Sequence, residues 1–288
     1  MPSLKDLRLR IKSVKSTQKI TSAMKMVAAA KLRKAQERAE AARPYALGLE
    51  QLLVNALAQQ PDTVRPSVLL TGNPDNPVHL IVVVTSDRGL CGGFNVNIIR
   101  DVKHLVKRFQ TNDVPVKILC VGRKGRDLLR REYGALIIDT ITDVGRKGIT
   151  IEESEKVCQK LQELLDENVC GGMTVVYSVF KSALNQEVAR RQLIPLPIEG
   201  KSDHGLFEFE PSQEALIEQL VPKNFTVQMY QILIETNASE QGARMTAMDN
   251  ATRNARDVIK RLELNYNRTR QAYITKELIE IISGAEAL

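Results

Sequence analysis

From Ser3 to about Ala58, apolar residues recur at Leu4, Leu7, Ile11, Val14, Ile20, Met24, Val27 and Leu32, mostly three or four apart. That spacing predicts one long amphipathic helix. Ser3 is placed to cap it, and Pro44, which lacks a backbone donor and crowds the preceding turn, is expected to kink or divide it. Pro61, Pro66, Gly72, Pro74 and Pro77 then punctuate a linker. Beyond it, strands are expected at 79–85, 116–121, 135–141, 173–180 and 188–196, and helices at 95–110, 125–132 and 151–168. This alternation predicts a small open α/β sheet of mainly parallel strands, with the last two antiparallel.

After Pro222 there is no further proline, and Phe225, Met229, Ile232, Ala243, Ala247, Ala251, Ala255, Ile259, Leu262, Ala272, Ile279 and Ile282 mark a second long helix. Sixty residues of helix would reach about 90 Å, more than a compact domain can cover. Its apolar stripe therefore needs another partner. The N-terminal helix carries a matching stripe, so the two ends are expected to pair as an antiparallel coiled coil. Gly242, Ala243, Ala247 and Ala251 on one helix, and Ala23, Ala28, Ala29 and Ala30 on the other, would let the backbones approach closely.

Composition narrows this picture. The 288 residues contain no Trp and only 4% aromatics, which suits helix pairs packed on aliphatic side chains and suggests an elongated shape. The longest apolar run, Leu80 to Val84, is far below the roughly 20 residues of a membrane-spanning helix. The net charge of +7 is unevenly placed: residues 1–43 hold twelve Lys/Arg and three acids, a local excess of +9. Such a segment is a nucleic-acid candidate, yet residues 1–43 contain no aromatic residue for base stacking, and Lys and Arg stems are equally expected beside a coiled-coil seam.

The chemistry-bearing motifs are sparse. Cys91, Cys120, Cys158 and Cys170 show no C-x-x-C spacing, and His79, His104 and His204 are scattered, so neither a metal site nor a disulfide framework is expected. The loop Ser86-Asp87-Arg88-Gly89-Leu90-Cys91-Gly92-Gly93-Phe94-Asn95 follows the first strand, where such sheets bind ligands, but its glycines fit neither phosphate-binding template. It reads as a sharp loop presented to a partner, with Cys91 a small residue in a tight turn. Gly122-Arg123-Lys124-Gly125-Arg126 is a second basic turn, and Asp139, Asp143, Glu152 and Glu153 read as solvated acids. No catalytic, cofactor or metal set emerges.

Two terminal segments carry a family resemblance. Residues 11–31 (IKSVKSTQKITSAMKMVAAAK), together with 238–248 (ASEQGARMTAM) and 265–278 (NYNRTRQAYITKEL), resemble the signatures of the gamma subunit of the rotary proton-translocating ATP synthase. The Ser86 to Asn95 loop is a third match, and the likeness spans essentially the whole chain. The resemblance implies an α/β fold in which a long antiparallel coiled coil carries an inserted small Rossmann-like domain. The divisions are 1–58 as N-terminal coiled-coil helix, 59–77 as linker, 78–210 as α/β foot and 211–288 as C-terminal coiled-coil helix.

It further implies a single-copy central shaft inside a hexamer of three alpha and three beta subunits, with the foot on the c-subunit ring beside epsilon and catalysis confined to beta. Met24, with Lys19 and Lys25 beside it, matches positions facing an acidic lever of beta. Arg244, Gln271 and Thr275 match positions coupled to Met24, and Arg270 with Gln271 matches a catch on beta. Phe207, Phe209 and Glu210 match the surface facing epsilon and the c ring. No cofactor and no nucleic acid is expected. The place implied is the cytoplasmic side of a bacterial inner membrane, to which the Met1-Pro2-Ser3 start inclines the reading, or alternatively the matrix side of the mitochondrial inner membrane. The competing readings are a nucleotide-dependent enzyme built on the α/β domain and a coiled-coil nucleic-acid adaptor.

Overall fold

The computed structural model describes residues 3–58, 67–145, 148–196, 210 and 212–286. It comprises two compact units, one of Ala29–Arg244 and one of Met1–Ala28 with Met245–Leu288. The elements in chain order are α1 (Leu4–Ala58), α2 (Val68–Thr71), β1 (His79–Val84), α3 (Phe94–Thr111), β2 (Val116–Val121), α4 (Arg123–Tyr133), β3 (Ile137–Ile141), α5 (Ile151–Asp166), β4 (Gly172–Phe180), β5 (Gln186–Ile194) and α6 (Gln213–Glu286).

In the Ala29–Arg244 unit, five strands form one sheet in the order β3-β2-β1-β4-β5, parallel except for β5, which runs antiparallel to β4. β1 reads as an uninterrupted apolar run because helices cover both of its faces. On one face Ile81, Val83, Ile118 and Cys120 pack with Ile98, Val102 and Val106 of α3 and Leu129 of α4. On the other, Leu80, Val82, Leu119 and Val175 pack with Val157 and Leu161 of α5 and Phe225, Met229 and Ile232 of α6. The chain winds from β1 outward to β3 and returns to β4 on the opposite side of β1. The switch point therefore lies where the Ser86 to Asn95 loop leaves β1.

A third cluster in this unit joins Ala46, Leu49, Leu53 and Ala56 of α1 to Ile217, Leu220 and Val221 of α6, with Leu70 of α2 inserted. Gln213 Nε2 donates to the Ala56 carbonyl at 2.6 Å, so the start of α6 meets the end of α1 and the two run antiparallel.

α1 is not divided at Pro44, and α6, which begins at Gln213, carries its own proline, Pro222, as well. Each proline deprives the carbonyl four residues earlier of its partner; those residues, Glu40 and Glu218, are exposed, so water can serve the orphaned group. Gly242 also has a different role from close helix pairing. A Cβ there would lie 3.1 Å from Phe180 Cε2 and 3.5 Å from Ala183 Cα, so its smallness makes room for the β4-β5 hairpin. Its neighbour Ala243 likewise joins the sheet core.

In the other unit, the N-terminal part of α1 pairs with the C-terminal part of α6. Arg8 Nε donates to Tyr266 Oη at 2.8 Å, Lys15 Nζ to Glu263 Oε1 at 2.7 Å, Thr252 Oγ1 to Thr21 Oγ1 at 2.8 Å, and Lys25 Nζ to Asp249 Oδ1 at 2.6 Å. As the α1 number rises the α6 number falls, which defines antiparallel pairing. The inward positions of α1 follow a 3-4 spacing through Leu4, Leu7, Ile11, Val14, Gln18, Thr21, Lys25 and Ala28.

Candidate functional site

That spacing exposes an exchange of polarity. Up to Val14 the seam of α1 is apolar, as its sequence pattern predicts. Over the next two heptads the polar Gln18, Thr21 and Lys25 turn inward, while Ile20 and Val27 are 56% and 57% exposed and Met26 is 65% exposed. The expected stripe through Ile20 and Val27 thus lies outside the seam. Here α1 presents apolar side chains to solvent at 20, 23 and 27, positions that share one helix face.

Of these inward polar groups, Thr21 and Lys25 are paired with α6. The Lys25 ammonium and the Asp249 carboxylate form an ion pair, and Arg253 Nη2 approaches the second oxygen of Asp249 at 3.1 Å. The hydrogen bond from Lys25, helped by the charges of Lys25 and Arg253, holds the Asp249 carboxyl below its ordinary range. Met24 is half-buried beside this pair. Lys19 is exposed and lines a shallow basic groove with Arg8, Lys12, Lys15 and Tyr266.

Arg270, Gln271 and Thr275 are exposed, and the Thr275 hydroxyl donates to the Gln271 carbonyl at 3.0 Å. Gln271 follows Asp249 by 22 residues, about 33 Å of helix rise, so these residues do not gather with Met24 and Lys25. Every residue of α6 from Arg270 to Ser283 is exposed, including Tyr273, Leu278, Ile279, Ile281 and Ile282. Glu210 is exposed as well, whereas Phe207 and Phe209 lie outside the described residues.

Arg244 belongs to the sheet-bearing unit. Its Nη2 atom is 2.6 Å from Glu240 Oε1 and 3.4 Å from the Gly89 carbonyl, tying α6 to the Ser86 to Asn95 loop. Burial pushes the Glu240 carboxyl up, against the opposing charge of Arg244.

Within that loop, Ser86 and Asn95 exchange hydrogen bonds of 2.8 to 3.1 Å, and Asn95 Nδ2 reaches Cys91 Sγ at 3.3 Å. Burial raises the Cys91 thiol above its ordinary value, which suits a packed side chain rather than a nucleophile.

Asp87, which sequence reasoning did not single out, joins three loops. Its two carboxylate oxygens accept from the Arg123 and Asp143 amides at 2.9 and 2.8 Å. The next amides at the start of α4 are also occupied: Lys124 N donates to the Ser86 carbonyl at 3.1 Å and Gly125 N to Thr85 Oγ1 at 2.8 Å. Three helix-start donors that would otherwise suit a phosphate are thus committed to the β1 loop. The only sequence signal for Asp87 was its place in the short glycine-rich loop.

The chain matches the protein family described as ATP synthase over residues 3–288. It is 52% identical over 294 residues to the ATP synthase gamma chain of Paramagnetospirillum magneticum, with both chains covered in full. It is 50% identical over 299 residues to that of Rhodospirillum rubrum, again with full coverage of both. Among solved structures, it resembles a chain from the central stalk and c ring of Tetrahymena thermophila mitochondrial ATP synthase, at 27% identity and a TM-score of 0.62, covering 81% of this chain and 99% of that one. A chain from Euglena gracilis mitochondrial ATP synthase shares the fold at 21% identity and a TM-score of 0.69, covering 99% of this chain and 94% of that one. The paired helices and the five-stranded sheet are those of a rotary-motor stalk subunit. The chain belongs to the ATP synthase gamma chain family.

Proposed function

We propose that this chain is the central rotor shaft of an F-type ATP synthase, transmitting rotation of a proton-driven c ring to the beta subunits of an enclosing hexamer of three alpha and three beta subunits. One copy serves each complex. Chemistry takes place on beta, and this chain contributes shape, stiffness and charge. The observation that carries the reading is the exchange of polarity along α1, where Ile20 and Val27 face outward while Lys25 is drawn inward to Asp249. A helix pair folding for its own stability would bury those apolar groups, so their exposure reserves them for a surrounding protein surface.

On this reading Met24 and Lys19 meet an acidic lever of beta, and Lys25, part-exposed and paired with Asp249, stands beside them. Arg270, Gln271 and Thr275, on the exposed end of α6, meet the catch, while Arg244 braces the Ser86 to Asn95 loop against α6. Phe207, Phe209 and Glu210 face epsilon and the c ring. Among the described residues no helix is long and apolar enough to cross a membrane, and the proposed attachment is through partners on the cytoplasmic side of a bacterial inner membrane. The test is mass spectrometry of proteins retained with this chain after gentle membrane solubilisation. Co-purification of alpha and beta ATPase subunits is expected, and their absence would overturn the proposal.

A further inference from the structure

The Ala29–Arg244 unit contains a cavity of about 210 Å³ bounded by α1, the loop from β3 to α5, and α6. Lys31, Lys34 and Arg38 enter it from α1, and Asn237 and Gln241 from α6; Gly145 and Gly148 form part of its loop wall. No Asp or Glu is among its described lining residues. The three cations occupy positions i, i+3 and i+7 of one helix face, and the two carboxamides lie i and i+4 on another. The sequence pattern alone places these cations beside a coiled-coil seam or on a nucleic-acid-binding helix.

The site is built around Arg38. Its Nη1 donates to the Ile149 carbonyl at 3.0 Å, which fixes the guanidinium while its other donors remain to be used. Gly148, at φ +109°, makes this approach possible, because a Cβ there would lie 2.5 Å from Arg38 Nη1.

Nearby acids are engaged elsewhere. Glu153 accepts from the Gly145 amide at 3.1 Å, and Glu240, which Lys31 influences at longer range, pairs with Arg244. Among the described residues, Lys31, Lys34 and Arg38 form no ion pair, whereas Arg33 on the adjoining face of α1 is paired with Glu37.

We infer that this cavity, formed by Lys31, Lys34, Arg38, Asn237 and Gln241, binds a small multiply charged phosphate oxyanion, inorganic phosphate or pyrophosphate. Size separates that class from larger ligands. The volume holds several waters but falls below the roughly 300 Å³ at which pockets begin to enclose drug-sized molecules, so a whole nucleotide does not fit inside. Charge selects an anion of more than one formal charge, and the planar Arg38 fork together with carboxamide donors suits tetrahedral phosphate oxygens.

Calorimetric titration of the purified full chain with pyrophosphate, and separately with phosphate, at low and constant ionic strength tests the inference. Saturable binding near one equivalent is expected with at least one of them. Lys34→Gln, an exposed change that leaves the fold intact, should weaken binding at least fivefold, and Lys34→Gln with Arg38→Gln at least twentyfold. Lys5→Gln, which removes an exposed cation of α1 outside the cavity, should alter it less than twofold. Absence of saturable binding by either anion, or equal losses in the Lys5 and Lys34 variants, would overturn the site in favour of diffuse attraction to a basic surface.

Discussion

Lys25 of α1 and Asp249 of α6 form a 2.6 Å ion pair in the inward-facing spacing of the helix pair, immediately beside the shared hydrogen bond of Thr21 and Thr252. Two polar layers thus replace apolar ones in the middle of the seam. Such layers fix register, because sliding one helix by a turn would part the charges and leave the hydroxyls without each other.

The pH dependence of this pair follows from the depressed Asp249 carboxyl. A lowered folded-state value contributes stability above the ordinary 3.8, and the contribution is lost as pH falls through the folded value. Thermal unfolding of Lys25→Ala should therefore lie below that of the parent at pH 6, with the gap closing as the pH drops beneath 3.8. A gap that persisted undiminished at pH 2 would assign the effect to something other than this charge pair.

Met24 is half-buried next to the pair and adjoins the outward apolar face. Met24→Lys adds a cation where the proposed partner surface is acidic, an attraction whose strength changes with the partner's state. Assembly should survive, while protons pumped per ATP hydrolysed fall several-fold in membrane vesicles. An unchanged pumping ratio in the assembled variant would count against the coupling role.

α6 is exposed from Arg270 to Ser283, so removing its last turns should not disturb folding. Deleting Ile281 to Leu288 should leave the urea midpoint of the isolated chain within experimental scatter, and the assembled complex should keep a substantial fraction of its ATPase activity. Complete loss of ATPase from a correctly assembled complex would contradict a bearing role for these turns.

Arg244 is the principal counter-charge of Glu240, and their side chains are only 12% and 17% exposed. Arg244→Ala should cost about 2 to 4 kcal/mol at neutral pH by leaving a carboxylate enclosed without its partner. Burial raises the Glu240 value above the ordinary 4.5, so its favourable contribution is complete below 4.5 and disappears as pH rises through the folded value. Removing Arg244 raises that value further. The loss measured by urea unfolding should accordingly be larger at pH 8 than at pH 5, and Glu240→Gln in the same chain should restore much of it.

Two glycines of the switch-point region should differ in their tolerance of substitution. Gly122 has φ +105°, and a Cβ there would lie 2.2 Å from the Thr85 carbonyl oxygen, a clash with backbone. Gly122→Ala should destabilise by at least about 2 kcal/mol. At Gly89 an added Cβ meets nothing within 4 Å, so Gly89→Ala should stay within about 1 kcal/mol. Chemical denaturation of the two variants side by side provides the comparison.

Much of the fold was legible because local signals agreed with one another. β1 and β2 are short β-branched runs buried on both faces, and their limits in the structure fall within a residue of those read from the pattern. Pro44 does not divide α1, since a proline affects mainly a carbonyl four residues back and an exposed carbonyl can turn to water. The candidate coupling residues could be named from the terminal motifs, but their placement could not. Periodicity assigned Ile20 and Val27 to the seam, and the folded helix pair instead turns Thr21 and Lys25 inward.

The sequence by itself determined the long terminal helices, the alternating β/α order and the concentration of cations on α1, because these depend on residues close together in the chain. Only the tertiary structure decided which of those cations are neutralised and which remain available. Lys25 meets Asp249 more than two hundred residues away, whereas Lys31, Lys34 and Arg38 converge on a cavity walled by α6 and a glycine-lined loop. Electrostatic energy depends on distance and burial in space, and one-dimensional order specifies neither until the chain has folded.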